Sequence, residues 1–274
     1  ERSRLGLLGL HCAHRGCDLS YGRIEGGGLR CLYHGWLYDI AGRCLEQPGE
    51  PPDSTFKDTI RHTAYPCREL GRTIFSYLGP GVPPLLPEMH FLKAPEAHLF
   101  ENKMFHACNY LQGNEGNLDS GHLSYLHDFS GAAGDPTSGS EFQQFEAAMS
   151  ADTTPAISVQ DTRFGMRICS ARSSSDGRSY VRITNFLFPN AGIFAGVELK
   201  YGPRGYSVHW HVPIDDEKHW KFEFFYHPDH PFDKEDLRAK IAAEMTSDYR
   251  PIRSPANRYL QDRAEMTNST FAGL

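Results

Sequence analysis

The sequence lacks a long apolar run, a block of basic residues and a Cys-x-x-Cys knuckle. A membrane-spanning helix needs about 20 consecutive apolar residues, so we expect no membrane association through such a helix. Lys and Arg are scattered and the formal net charge is -6, which argues against a nucleic-acid-binding protein. No secretory signal pattern and no internal repeat is visible. These absences argue against a membrane-spanning protein, a nucleic-acid-binding protein and an exported protein.

Hydrophobic residues make up 39% of the 274 residues and aromatic residues 12%, enough for one large or two ordinary domains. The seven cysteines are an odd number, which favours a reducing compartment in which thiols act as ligands or stay free. We therefore expect a cytoplasmic protein. The sequence begins on Glu1 without Met and in an apolar, strand-like run, so we also expect natural sequence beyond one or both ends.

Two regions with different patterns follow each other along the chain. Residues 1–82 contain glycines, cysteines and short strand-like pieces, with a hairpin turn at "EGGG" (25–28). The proline-rich stretch 78–88 marks the boundary, and residues 83–274 contain a series of longer strands. A helix capped by Asp233 and a second helical pattern at "ANRYLQDRAEMTNS" follow them. We predict an α+β protein: a small antiparallel β domain, then an antiparallel sheet packed by helices.

Metal-binding side chains recur in two short segments of the first region. "HCAHRGC" contains Cys12 and His14, and "CLYHGW" contains Cys31 and His34 sixteen residues further on. Two Cys and two His could hold a structural zinc ion. They could also hold a [2Fe-2S] cluster, with both thiolates on one iron and both imidazoles on the other, the Rieske arrangement. One Cys and one His from each of two glycine-containing loops favours the cluster, because zinc knuckles usually pair Cys with Cys.

A second group of possible ligands lies in "NEGNLDSGHLSYLHDF", which contains Glu115, Asp119, His122 and His127. Non-haem iron that activates dioxygen is held by two His and one carboxylate. On an ideal helix His127 lies about 140° around the axis from His122, so both can reach one ion only where the helix is irregular or ends. A polar helix face with two unrelated histidines is the alternative. His209 with His211, and His227 with His230, compete as metal sites, although a solvent-facing strand and a turn would explain them.

The segment "CAHRGCDLSYG…GGLRCLYHGWLYDIAGRC" resembles the Rieske domain of aromatic-ring-hydroxylating oxygenases, in particular the phthalate, phenoxybenzoate and vanillate branch. The resemblance implies a terminal oxygenase (α) subunit whose second domain has a helix-grip-like fold. It implies that Cys12, His14, Cys31 and His34 hold the [2Fe-2S] cluster. Cys17 has no partner cysteine in the second loop, so we expect a small buried thiol and no disulfide.

The resemblance extends to "EGNLDSGHLSYLH", which implies His122 and His127 as ligands of a mononuclear Fe(II). The family's third ligand is an Asp near the start of a late helix, and Asp262 in "RYLQDRAEM" is our candidate, with Asp248 as a weaker one. The resemblance also implies that Asp119 links the cluster of one subunit to the iron of its neighbour in a head-to-tail trimer, which could stack into a hexamer. Glu115 is a candidate to support that link.

The implied function is hydroxylation of an aromatic, carboxylated substrate by O₂, with cis-dihydroxylation favoured. Electrons would come from NAD(P)H through a flavin and iron–sulfur reductase. A Rieske O- or N-demethylase or monooxygenase is the alternative within the family, and a pure electron carrier is the alternative from another class. Arg182 and Arg204 are candidates for a substrate carboxylate. The candidate pocket residues are aromatic: Phe186, Phe188, Phe194, Phe224 and Tyr226.

Overall fold

A computed structural model describes residues 5–86, 88–127, 148–173, 177–195 and 205–274. The chain divides into two compact units, Glu1–Lys93 and Ala94–Leu274. The predicted boundary between residues 82 and 83 stays a prediction; it lies in the irregular segment that precedes the 3-10 helix His90–Lys93. Within the described residues, no helix has both the length and the apolar composition to cross a bilayer.

The first unit is built from short antiparallel strands. A four-stranded sheet follows the chain order, and two further pairs of strands, β1 with β6 and β7 with β8, complete the unit. The one α-helix in the described part of this unit is the short α1 (Phe56–Thr59). The strands are β1 (Leu7–Leu8), β2 (Arg23–Glu25), β3 (Gly28–Arg30), β4 (Leu37–Tyr38), β5 (Cys44–Glu46), β6 (Ala64–Tyr65), β7 (Cys67–Leu70) and β8 (Thr73–Ser76).

The hairpin predicted at residues 25–28 is confirmed. Gly26 and Gly27 connect β2 to β3 with φ angles of 57° and 78°, the left-handed region that a type I′ hairpin turn requires at both central positions. The core of the unit collects around the predicted ligand loops: Cys12, Leu19, Cys31, Trp36, Tyr38 and Cys44.

The second unit is a seven-stranded antiparallel sheet in the order β10-β11-β12-β13-β14-β15-β9. Strand β9 precedes the helical segment in the chain yet pairs with the last strand, β15, and so forms one edge of the sheet. The strands are β9 (Leu99–His106), β10 (Ala156–Thr162), β11 (Gly165–Ser173), β12 (Ser179–Leu187), β13 (Ala191–Ala195), β14 (Tyr206–Pro213) and β15 (His219–Tyr226).

Helices pack on this sheet. Helix α2 (Tyr110–Leu118) begins at Asn109, whose side chain accepts a hydrogen bond from the backbone N–H of Leu111. Helix α3 (Lys234–Ala242) begins at Asp233, which accepts from the N–H of Asp236 and so confirms the predicted N-cap. Leu237 of α3 packs with Phe100 and Phe225 of the sheet. The predicted α+β architecture is confirmed.

Two details of the prediction are wrong. The last helical pattern is not one helix: it forms a 3-10 segment, Pro255–Leu260, and the short helix α4 (Glu265–Asn268). Arg258, Tyr259 and Leu260 have positive φ angles, which a continuous α-helix cannot contain.

The second error concerns β14. Its residues alternate as predicted, but the face that carries His209 and His211 does not turn to solvent, because α2 covers it and leaves His211 only 2% exposed. Tyr206 and Val212 of the opposite face are the more exposed residues of the strand.

Candidate metal centres

The two predicted ligand loops of the first unit have the same backbone hydrogen-bond pattern. In the first, the N–H of Cys12 donates to Cys17 O and the N–H of Gly16 donates to Cys12 O, both at 2.8 Å. In the second, the N–H of Cys31 donates to Trp36 O at 2.9 Å and the N–H of Gly35 to Cys31 O at 3.1 Å. Gly16 and Gly35 have φ angles of 70° and 75°, a region that favours glycine. Each loop is therefore a tight turn that presents one Cys and one His.

The four side chains of these loops fit a Rieske cluster. Cys12 and Cys31 are buried, and the rings of His14 and His34 lie with their centroids 4.5 Å apart. Among the described residues, the buried Nδ1 of His14 has no hydrogen-bond partner. This nitrogen is therefore free to bind an iron of the cluster. Partial burial, then the neighbouring His34 and Arg15, lower the pKa of His14 and favour the neutral imidazole that metal ligation requires.

Aromatic side chains enclose the pair of loops. The Trp36 ring stacks on His14 with a centroid distance of 4.6 Å. Tyr38 is fully buried, and its Oη lies 3.2 Å from Cys12 Sγ. Burial raises the pKa of Tyr38, so the phenol keeps its proton and donates it to a Cys12 thiolate. Sequence analysis assigned Tyr38 no such role.

The Tyr38→Phe substitution is expected to lower the reduction potential of the cluster. A hydrogen bond to a cluster sulfur stabilises the more negative, reduced state, and loss of about 1 kcal/mol corresponds to about 40 mV for one electron. Redox titration followed by electron paramagnetic resonance measures this shift. Tyr21→Phe is the control, because Tyr21 belongs to the same unit and is 75% exposed. Equal potentials for Tyr38→Phe and the wild type would contradict the assignment.

Cys17 is half-buried and packs against the core of the first unit. All seven cysteines have free thiols, so the absence of a Cys17 disulfide is confirmed.

In the second unit, the structure brings His122 and His127 together. Helix α2 ends at Leu118, and His122–Ser124 forms a 3-10 turn beyond it, so the backbone is irregular as a shared ion requires. The two imidazole centroids lie 5.2 Å apart with 61° between the ring planes. Burial, then His122 and Arg182, lower the pKa of His127. This favours the neutral imidazole of His127 for metal ligation, and the pair places two imidazole rings close enough to share one cation.

Asp119 occupies the C-cap of α2 and organises the turn that contains His122. Its Oδ1 accepts the N–H of Gly121 at 2.7 Å, and its Oδ2 lies 3.2 Å from both the backbone N and the Nδ1 of His122. Burial opposes ionisation, but the hydrogen bonds from Gly121 and His122 outweigh it and hold the pKa of Asp119 below its usual value. Asp119 is thus a carboxylate that orients His122. Glu115, one helical turn earlier, is exposed.

A buried arginine holds the same turn from the sheet side. Arg172 of β11 is 1% exposed; its Nη1 donates to Ser120 Oγ at 2.9 Å, and its Nη2 donates to Ser120 O at 2.6 Å and Ser124 Oγ at 3.2 Å. Sequence analysis missed Arg172, because an arginine inside an alternating strand gives no signal of its distant partners.

Asp262 is exposed and lies between the 3-10 segment and α4. Its Oδ1 accepts the backbone N–H of Ala264 at 2.7 Å. The expected helical face of Tyr259, Asp262 and Met266 does not form, because the positive φ angles at residues 258–260 interrupt the helix. Asp262 is not brought onto the histidine pair, because among the described residues no three or more His, Cys, Asp or Glu side chains are placed to hold one single metal ion.

The segment that contains Asp262 nevertheless touches the histidine turn. The N–H of Asp262 donates to Gly273 O at 2.9 Å, and Phe271, two residues before Gly273, packs edge-on against Tyr125 with a centroid distance of 5.3 Å. Tyr125 lies between the two histidines in sequence.

The other candidate residues lie on both faces of the sheet. Arg182, Phe186, Phe194 and His209 share the face that α2 covers, and the Arg182 guanidinium lies 5.0 Å from the Phe194 ring centroid. Phe224 and Tyr226 point to the opposite face, and Phe188 is 78% exposed, so these three do not line that face. Arg204 lies outside the described residues. His227 Nδ1 accepts hydrogen bonds from the backbone N–H groups of Asp229 and His230. His227 and His230 therefore belong to a turn, which is the alternative to a metal site given above.

Comparison with known families identifies both units. Residues 3–66 match the Rieske [2Fe-2S] domain, and residues 76–274 match the family described as LigXa C-terminal domain like. The oxygenase subunit of phthalate 4,5-dioxygenase from Pseudomonas putida is 34% identical over 99% of this chain and 63% of its own length. The α subunit of phenoxybenzoate dioxygenase from Ectopseudomonas oleovorans is 31% identical over 81% of this chain and 55% of its own. The chain thus spans about half to two thirds of these relatives.

Solved structures show the same fold. Dicamba monooxygenase, at 18% identity, has a TM-score of 0.61 over 86% of this chain and 72% of its own. The terminal oxygenase of carbazole 1,9a-dioxygenase from Nocardioides aromaticivorans IC177, at 20% identity, has a TM-score of 0.57 over 86% of this chain and 69% of its own. The Rieske match decides between the cluster and the zinc ion left open above. The chain belongs to the family in which a Rieske [2Fe-2S] domain is followed by a LigXa-like C-terminal domain, and the relatives named above are oxygenase subunits.

Proposed function

We propose that this chain is the catalytic subunit of an oxygenase that uses reductase-supplied electrons and O₂ to hydroxylate an aromatic substrate, with cis-dihydroxylation favoured. The observation that carries the proposal is the presence of two different centres in one chain. One is a pair of matched Cys/His loops, and the other is the His122–His127 pair oriented by Asp119.

Each centre has a defined set of ligands in this proposal. Cys12 and Cys31 would hold one iron of the [2Fe-2S] cluster and His14 and His34 the other. His122, His127 and Asp262 would hold the mononuclear Fe(II) in the arrangement of two histidines and one carboxylate. Asp262 must approach the histidines for this, and its link through Gly273 and Phe271 to Tyr125 supports that role. When bound, the cluster supplies single electrons and the mononuclear iron supplies oxygen activation.

The protein side chains orient and connect the two centres. Asp119 fixes the ring of His122. The Asp119 side chain is 53% exposed, so it can also accept a hydrogen bond from a neighbouring molecule. At the cluster end His34 is exposed beside the exposed apolar side chains of Leu32 and Tyr33. We infer that His34 of one subunit meets Asp119 of the next in a head-to-tail homotrimer, with a stacked hexamer as the alternative. Glu115 would support this contact from the exposed side of α2.

The proposed substrate is an aromatic carboxylate. Phthalate and phenoxybenzoate, the compounds in the relatives' names, are both of this class. In this chain the Arg182 guanidinium lies over the Phe194 ring, so a cation and an aromatic surface are side by side. Arg182 is also close enough to His127 to lower its pKa. Arg182 could therefore hold a substrate carboxylate near the iron ligands. A flavin and iron–sulfur reductase that oxidises NAD(P)H, and a cytoplasmic location, complete the proposal.

A demethylase or monooxygenase is the second candidate. The oxygenase subunit of 5,5'-dehydrodivanillate O-demethylase from Sphingobium sp. is 39% identical over 44% of this chain and 30% of its own, which favours this alternative. An electron carrier without oxygenase activity is the third candidate, and it predicts no mononuclear iron.

Two measurements separate the three candidates. Metal analysis of the anaerobically purified full-length protein should give about three irons per chain for an oxygenase and about two for a carrier. Turnover of an aromatic carboxylate under ¹⁸O-labelled O₂ should place two labelled atoms in the aromatic product of a dioxygenase and one in that of a ring monooxygenase. An O-demethylase inserts its labelled atom at the methyl carbon and releases it with formaldehyde, so the phenol carries no label. Two irons per chain, or an unlabelled aromatic product without release of formaldehyde, would refute the oxygenase proposal.

A further inference from the structure

A continuous line of hydrogen bonds runs across the sheet beneath α2. His219 Nδ1 lies 2.8 Å from the carbonyl oxygen of Cys108, and its Nε2 lies 2.8 Å from His211 Nδ1. His211 Nε2 lies 2.7 Å from Asn117 Nδ2, and Asn117 Oδ1 lies 3.0 Å from His209 Nδ1. Asn117 of α2 is thus held between two histidines of β14.

The Cys108 carbonyl oxygen at one end of this line fixes which atom donates in each of the hydrogen bonds. A carbonyl oxygen only accepts, so His219 carries its proton on Nδ1 and accepts at Nε2. Burial lowers the pKa of His211 and of His209 to about 3, so both rings are neutral. His211 then donates from Nδ1 and accepts at Nε2 from the Asn117 amide, whose oxygen accepts from His209. The pattern requires one donor and one acceptor from residue 117, and a carboxamide supplies both.

Helix α2 and the sheet approach each other closely at these hydrogen bonds. A Cβ on Gly113 would overlap His211 Nδ1 and lie 3.0 Å from His219 Nε2. A Cβ on Gly192 of β13 would lie 3.1 Å from the Asn117 side chain. The buried residue of α2 is another polar one, Asn114. Directional hydrogen bonds, and not an apolar stripe, therefore determine where this helix lies on the sheet.

Asn117 lies two residues before Asp119, at the end of the helix that Asp119 caps. Arg172 holds Ser120 and Ser124 on the other side of the same turn. We propose that Asn117 is a positioning residue: by bonding to His209 and His211 it fixes the helix end that presents Asp119 and His122. The proposal rests on the proposed function for the roles of Asp119 and His122.

The Asn117→Leu substitution tests the positioning directly. Leucine has a similar size but neither donor nor acceptor, so we expect amide hydrogen exchange in residues 118–124 of the metal-loaded protein to accelerate about tenfold. Retention of mononuclear iron against a ferrous chelator should fall about tenfold, while the cluster spectrum stays unchanged. Asn114→Leu is the matched control, because Asn114 is buried in the same helix but donates only to Tyr110 O of that helix. Equal exchange rates in the two variants would overturn the proposal.

The Asn117→Asp substitution tests the hydrogen-bond pattern at constant size, and it applies even where the leucine variant does not fold. An ionised carboxylate would face the lone pair of His211 Nε2, whereas one added proton, on the carboxyl or on His211, restores the pattern. The other titratable or charged groups of this region are His219, Lys221 and Glu223 of β15, His106 of β9 and Arg182 of β12. None of them is changed in the variant.

Iron retention by Asn117→Asp, relative to the wild type at each pH, should therefore be near normal in mild acid and fall about tenfold as the pH rises. The spectrum of the ferrous site with nitric oxide should shift over the same pH range. A defect that does not depend on pH would overturn the proposal, because a packing role does not titrate.

Failure of the proposed function gives a different result. A wild-type protein that contains the cluster but no mononuclear iron would refute the oxygenase proposal. Hydrogen exchange in residues 118–124 would still show whether Asn117 positions the turn.

Discussion

The Asp262→Ala substitution is expected to remove the proposed mononuclear iron from the protein and to leave the cluster in place. A site with two histidines and one carboxylate loses its anionic ligand in this variant, and two neutral imidazoles bind Fe(II) weakly. Iron analysis should fall from about three to about two per chain, with an unchanged Rieske resonance signal and no substrate hydroxylation. The change is local, because Asp262 is exposed and its side chain accepts only backbone N–H groups of the next turn.

Asp248→Ala is the matched control for Asp262→Ala. Asp248 is an exposed carboxylate of the same C-terminal region, and it pairs with Arg250 and Thr246. We expect its removal to leave three irons and normal turnover. Full iron content in Asp262→Ala together with loss in Asp248→Ala would transfer the ligand role to Asp248. Full iron content in both variants would leave the centre without the proposed carboxylate.

The Asp119→Asn substitution is expected to keep both metal centres and to slow electron transfer between them. In the protein, Asp119 Oδ1 faces the N–H of Gly121 and Oδ2 faces the backbone N and ring Nδ1 of His122. An amide in either orientation would point an NH₂ group at one of these donors, so the ring of His122 would lose its fixed orientation. Loss of such an orienting partner typically lowers metal affinity or activity by about 10- to 100-fold. We expect the rate of electron transfer to fall by a factor in this range.

The measurement for Asp119→Asn is the rate of cluster oxidation in a single turnover, starting from the reduced protein with substrate and O₂. Asp161→Asn is the control, because Asp161 is an exposed residue on the edge strand β10 of the same unit. A normal rate with full metal content would show that electrons do not pass through Asp119. Loss of mononuclear iron would show instead that Asp119 supports iron binding.

Sequence analysis succeeded where the interacting residues are close in the chain. Each cluster loop spans a few residues, and its Cys, His and Gly are all visible in "CAHRG" and "CLYHG". The Asp233 cap and the hairpin at 25–28 are equally local, and both are confirmed. The helix predicted for the C-terminal segment does not form. The 3.6-residue periodicity of apolar residues contains no information about the positive φ angles at residues 258–260.

The sequence by itself determined the family and the order of the two domains, and it supplied the candidate iron ligands, because these depend on short motifs of reactive side chains. Only the tertiary structure decided what positions them. Asn117 meets His211 across 94 residues of sequence, and Arg172 meets Ser120 across 52. Such partners follow no period along the chain, so they become visible only when helix and sheet are packed together.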